Sequence, residues 1–148
     1  MALALDQASA AAGRGEVPVG AVLIDESGAV VAAFGNQDEQ DHDPTAHAEM
    51  LALRAGAARL GVKRLAGCNL YVTLEPCPMC AAAIALAHIR RLYFAAYDPK
   101  GGGVEHGPRI FEQPTCHHRP EVYGGIAERA AASLLRKFFQ ARRQVLDR

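Results

Sequence analysis

The stretch that decides the fold is Asn69-Leu70-Tyr71-Val72-Thr73-Leu74-Glu75-Pro76-Cys77-Pro78-Met79-Cys80-Ala81-Ala82-Ala83-Ile84-Ala85-Leu86-Ala87-His88-Ile89-Arg90-Arg91-Leu92-Tyr93-Phe94-Ala95. Residues 69–74 read as a strand, 78–87 as a helix and 91–95 as a second strand. Two strands joined through a helix make a βαβ unit, so they are expected to run parallel. Upstream, residues 46–60 predict a helix with Asp43 as its N-cap, Pro44 at its first position and Gly61 just past its end. Further upstream, residues 17–24 and 29–34 predict a hairpin around Asp25-Glu26-Ser27-Gly28, preceded by a helix over 3–12. Downstream, a Gly/Pro-rich stretch over 98–120 leads to a short strand near Val122 and a long helix over 127–145. The chain therefore predicts one continuous α/β domain over 1–148. Its helices are layered on a mixed five-stranded sheet, antiparallel at the start and parallel at the end.

Composition agrees with one domain: 148 residues, 50% apolar and 22% charged, near the average for a globular chain. No apolar run approaches the roughly 18 residues a bilayer span needs, and Met1-Ala2-Leu3-Ala4-Leu5-Asp6 has neither a basic region nor a long apolar one. Membrane and secreted classes are set aside. Of four cysteines, Cys77 and Cys80 stand at C-x-x-C spacing, which without an export signal favours reduced thiols or metal over disulfides and points to the cytoplasm. Net charge is zero, yet residues 1–49 carry nine acids and one base, a balance of −8, and the rest carry +8. The last twenty residues hold Arg129, Arg136, Lys137, Arg142, Arg143 and Arg148 against Asp147. Such a tail suits phosphates, although charge alone is equally that of a solvated helix face.

The chemistry concentrates in His47-Ala48-Glu49, at the start of one helix, and Pro76-Cys77-Pro78-Met79-Cys80, at the start of the next. His47, Cys77 and Cys80 supply three ligands, leaving a fourth tetrahedral position for water, as in a catalytic zinc site. In the first turn of a helix, unpaired N–H groups and the positive dipole end favour a thiolate and a developing hydroxide. Glu49 lies about 200° round the helix from His47, near the metal but placed to move protons rather than to ligate. A lone C-x-x-C also suits structural zinc or a redox pair, and a lone histidine a cap. A structural site, however, wants four protein ligands, and a redox pair has no use for His-Ala-Glu.

The pairing of His-Ala-Glu with Pro-Cys-x-x-Cys resembles the zinc-dependent nucleobase deaminases. Four segments look like the bacterial tRNA-specific adenosine deaminase family, and the resemblance covers nearly the whole chain. They are Glu16-Val17-Pro18-Val19-Gly20-Ala21-Val22, Asp43-Pro44-Thr45-Ala46-His47-Ala48-Glu49, Leu70 through Cys80, and Phe138-Phe139-Gln140-Ala141-Arg142-Arg143. It implies a cytidine-deaminase-like three-layer α/β/α fold, a homodimer, and conversion of adenosine to inosine at the wobble position of an arginine tRNA. It further implies one Zn2+ per chain on His47, Cys77 and Cys80, with Glu49 as the catalytic proton shuttle. Asn36 and the main-chain N–H of Ala48 are implied at the base. Phe138, Phe139, Arg142 and Arg143 are implied at the anticodon loop, although core packing is the expectation for one of the two phenylalanines.

Two features depart from the family's pattern: a short N-terminal helix, and a segment 98–108 of different composition, which bears on loop contacts to RNA. Cys116, His117 and His118 read as a loop cluster without metal, and Cys68 as a small buried residue. Residues 80–87 are apolar on every side, which predicts that a second subunit covers one face. The leading function is RNA editing, with an activated water attacking C6 of adenine and Glu49 carrying its proton to ring N1 and then to departing ammonia. A free-base or nucleotide deaminase acting on guanine, cytosine or deoxycytidylate shares the metal motif. The Phe-Phe-x-x-Arg-Arg tail separates the two, because a free base offers no phosphates. A zinc-stabilised binding module without catalysis is opposed by the presence of Glu49.

Overall fold

A computed structural model describes residues 1–148. The chain runs α1 (Ala2–Gly13), β1 (Gly20–Ile24), β2 (Val30–Gly35), α2 (Ala48–Leu60), β3 (Asn69–Leu74), α3 (Pro78–Leu86), β4 (Arg91–Ala96), a 3-10 turn (Ile110–Glu112), β5 (Glu121–Tyr123) and α4 (Glu128–Leu146). The sheet order is β2-β1-β3-β4-β5. β1 is antiparallel to β2 and β3, whereas β3, β4 and β5 are mutually parallel. Both the hairpin and the βαβ unit are thus present as the sequence predicts.

The layers follow from strand alternation. Gly20 lies against Ala4 and Ala8 of α1, while Leu23, three residues on, reaches Gly56 of α2. Strand residues three apart face opposite sides of a sheet, so α1 and α2 lie on opposite faces. α4 joins α1 over β4, and α3 joins α2, which completes a three-layer α/β/α arrangement. The main core fills the α2/α3 side with Leu23, Leu53, Leu70, Val72, Ile84 and Phe94. Burial of each such side chain contributes about 1.5–3 kcal/mol. The α1/α4 side is thinner, built on Ala95, Ala96 and Ala131. Cys68 is buried in the main core.

Two boundaries differ from expectation. α2 begins at Ala48, because Asp43 caps a turn rather than the helix. Asp43 Oδ1 accepts the Thr45 N–H at 2.8 Å and its hydroxyl at 2.7 Å, and the Ala46 N–H donates to Asp43 O at 3.1 Å. Asp-Pro starts a turn with the same chemistry that caps a helix. The N-cap is instead His47, in an extended conformation. β1 begins at Gly20 rather than 17, since Pro18 has no N–H for a ladder and the Val19 N–H turns back to Val17 O at 2.8 Å. Gly61, at φ 65°, closes α2 as predicted.

Candidate active site

Two helix starts converge beyond the end of β3. His47 is the N-cap of α2 and Cys77 the N-cap of α3, with Pro78 opening the helix and Cys80 on its first turn. Neither cap side chain bonds its own helix, which leaves imidazole and thiol for each other. His47 Nδ1 lies 3.6 Å from Cys77 Sγ and 3.4 Å from Cys80 Sγ. Their ligand atoms fall within 4.8 Å of one another, the one group of histidine, cysteine or acidic side chains close enough to hold a metal ion. The donor set suits zinc: one imidazole nitrogen and two sulfurs at helix N-termini, where the dipole favours anions.

The proton distribution fits the same reading. The Cys77 thiol is lowered to about 4, chiefly by the hydrogen bond from Cys80 and then by His47, and the Cys80 thiol is pushed up correspondingly. His47 is raised to about 9, chiefly by its hydrogen bond with Cys77. The largest influence on each donor's proton is a hydrogen bond to another of the three, and a divalent cation at their centre would take the place of those protons.

Beside them lies a cavity of about 280 Å3, lined by Val17, Asn36, Asp38, His47, Glu49 and Asp98 among others. Glu49 is 4% exposed, and burial pushes its carboxyl up. It stands outside the group of three donors, as a proton carrier must. Asn36 Oδ1 accepts the Ala48 N–H at 2.8 Å. The two groups expected at the base are therefore bonded to each other, and the Ala48 N–H is engaged by Asn36. A larger cavity of about 470 Å3, lined by Lys63, Ala82, Leu86, His88 and His118 among others, lies at the outer face of α3 and contains none of the donors.

Two buried glutamates, absent from the sequence-based site, brace the loops around the pocket. Glu16 accepts the N–H groups of Glu39 (3.2 Å) and Gln40 (2.8 Å), fixing the loop that carries Asn36 and Asp38. Glu75, its side chain fully buried, accepts from Asp98 N–H (3.1 Å), from the N–H groups of Val104, Glu105 and His106 (3.2, 3.0 and 3.1 Å), and pairs with His106 Nδ1 at 2.7 Å. Although burial acts to raise it, the His106 contact and these N–H groups hold the Glu75 carboxyl below the usual range. The unusual glycines of segment 98–108 serve this packing, for a Cβ at Gly103 would lie 2.6 Å from Pro78 Cα, and one at Gly102 2.5 Å from Asp98 O. Neither glutamate is marked by its sequence neighbours, Arg14-Gly15-Glu16-Val17-Pro18 and Thr73-Leu74-Glu75-Pro76, because the amides that each accepts come from distant loops.

The remaining predicted residues separate by location. In α4, Phe138 is half-buried beneath the Arg142 guanidinium, 4.8 Å from the ring centroid, while Phe139 and Arg143 are exposed. Arg142 donates to Gly15 O at 3.3 Å, tying α4 to the turn before Val17 at the pocket. Cys116 bonds His118 O, and the His118 ring bonds Ile89 O and stacks on His88, so these residues serve loop packing.

The fold and the donor set together define a zinc-binding deaminase architecture. A family model described as the cytidine and deoxycytidylate deaminase zinc-binding region matches residues 1–96, and the chain belongs to that family. The tRNA-specific adenosine deaminase of Agrobacterium fabrum is 56% identical over 97% of this chain and 93% of its own length. A solved structure from work on A-to-I editing by tRNA:A34 deaminases at the wobble position of transfer RNA matches with TM-score 0.89 and 56% identity, covering 91% of this chain and 97% of that one. A guanine deaminase from Nitrosomonas europaea matches with TM-score 0.80 at 26% identity, over 93% and 81% of the two chains. Within the family, the chain is a member of the tRNA-specific adenosine deaminases.

Proposed function

We propose that this chain, as one deaminase domain over 1–148, hydrolyses adenosine to inosine at the wobble position of a tRNA, an arginine tRNA on the family resemblance. The observation that carries the reading is a buried carboxylate, Glu49, beside a three-donor set that leaves one metal position for water. His47, Cys77 and Cys80 would hold the ion, and zinc, when bound, lowers the pKa of water toward about 7 and so supplies a nucleophile at neutral pH.

The chain's own residues do the rest. Asn36, held by the Ala48 N–H, offers its amide to the base and orients it. Glu49 takes one proton of the water whose oxygen adds to C6 and delivers it to N1; it then takes the remaining proton from the C6 hydroxyl and passes it to the amino group, so that the C6–N bond breaks and inosine and ammonia leave. Burial raises the Glu49 carboxyl above its ordinary value, the direction that suits a group which both takes and gives a proton. Phe139, Arg142 and Arg143, on the helix tied to the pocket turn, meet the anticodon loop. No helix is long and apolar enough to cross a membrane, and a tRNA substrate with reduced thiols favours the cytoplasm.

A second copy of the chain covers the outer face of α3, where Leu86 is 78% exposed. Light scattering should report twice the chain mass, and a monomer at micromolar concentration would overturn the dimer. The function is tested by incubating the protein with total tRNA and sequencing for A-to-I changes. Conversion confined to a wobble position is expected. Efficient turnover of free guanine or cytosine with tRNA untouched would establish the free-base reading instead.

A further inference from the structure

His47 has two ring nitrogens and two kinds of neighbour. Nδ1 faces the sulfurs of Cys77 and Cys80, while Nε2, on the other edge of the ring, lies 3.6 Å from Asp38 Oδ2. Asp38 Oδ1 is buried and has no hydrogen-bond partner. A carboxylate oxygen taken out of water without a donor is costly unless a neighbouring charge or dipole compensates, and the group beside this carboxylate is the Nε2 edge of the His47 ring. The carboxylate does not reach this place through loose loop geometry. On one side the Gln37 N–H bonds Ala46 O at 3.0 Å, on the other Glu39 and Gln40 bond Glu16, and Asp43 N–H bonds Asp38 O at 3.0 Å. The loop is braced from three directions so that Asp38 stands behind the ring.

We propose that Asp38 is a positioning residue for the metal centre. Its carboxylate keeps the proton of neutral His47 on Nε2, so that unprotonated Nδ1 faces the two sulfurs. At 3.6 Å the contact is an ion-pair separation rather than a hydrogen bond, and its effect is electrostatic: negative charge beside Nε2 favours the tautomer protonated there and makes Nδ1 the better donor. This rests on the zinc reading of the same site. Neither the His-Ala-Glu nor the Cys-Pro-Met-Cys segment contains Asp38, which the fold alone brings to the ring.

The test measures zinc affinity by competition with a chromophoric chelator for the wild type, Asp38→Asn, Asp38→Ala and Cys77→Ala, together with the visible spectrum of the cobalt-substituted proteins. Removing such an outer carboxylate typically weakens metal binding about 10- to 100-fold, and that weakening is expected for Asp38→Ala. Asp38→Asn, which keeps the shape and removes the charge, should also bind more weakly and shift the cobalt bands. Wild-type affinity and an unchanged cobalt spectrum in both Asp38 variants would overturn the proposal. So would unchanged zinc affinity with a raised KM for tRNA, which would make Asp38 a substrate contact. If zinc bound to the wild type survives Cys77→Ala, the zinc assignment itself fails, an outcome separate from any behaviour of the Asp38 variants.

Discussion

Glu49 is buried next to the metal donors without being one of them, so its replacement should divide binding from chemistry. Glu49→Gln is expected to retain about one zinc per chain and to lose deamination by roughly 10²- to 10⁴-fold, the usual range for a general acid–base group. Elemental analysis beside single-turnover rates on tRNA checks this, and loss of zinc along with activity would make Glu49 a ligand. His47, Glu49, Cys77 and Cys80 were legible in the sequence because each stands within three residues of a partner in function at a helix start. Glu16, Glu75 and Asp38 were not. The donors to Glu16 and Glu75 lie 23 to 31 residues away, and a single acid in a sequence reads as solvated until the fold surrounds it.

Among the elements, the segment over 98–106 depends on Glu75 more than on any ladder. Glu75→Ala would orphan the buried Val104 N–H and the part-buried N–H groups of Asp98, Glu105 and His106; an unmet buried N–H costs about 1–3 kcal/mol, so a destabilisation of at least about 1 kcal/mol is expected from the urea midpoint. Glu75→Gln should lose less, since one oxygen still accepts. At α4, replacing Arg142 and Arg143 with alanine should weaken tRNA binding and flatten its salt dependence, by nearly one log unit for each phosphate no longer neutralised, with zinc content unchanged. Unaltered affinity and salt slope would remove the tail from the RNA surface. The β3-α3-β4 unit was readable because strand, Pro-punctuated helix start and strand follow in one run. The start of α2 was not, because Asp43-Pro44 makes a turn whose local chemistry equals that of a helix cap.

On the scale of the whole molecule, the donor set joins α2 to α3, so metal should bind the folded chain in preference to the unfolded one. With free zinc at about 100 times its Kd, the stabilisation is about 2.7 kcal/mol, and chelation should lower Tm by roughly 5–10 °C for a chain of this size. A calorimetric scan with and without chelator tests this, and equal transitions would place the ion outside the folding equilibrium. The two glutamate braces carry one more consequence, in time rather than energy. Backbone amides in irregular segments ordinarily trade their protons with solvent fast, because little holds them closed. Here the amides of Glu39, Gln40, Asp98, Val104, Glu105 and His106 are held by buried carboxylates. In deuterated water these six should form two slow islands outside the helices and strands. The walls of the pocket would then open only as rarely as the framework beneath them.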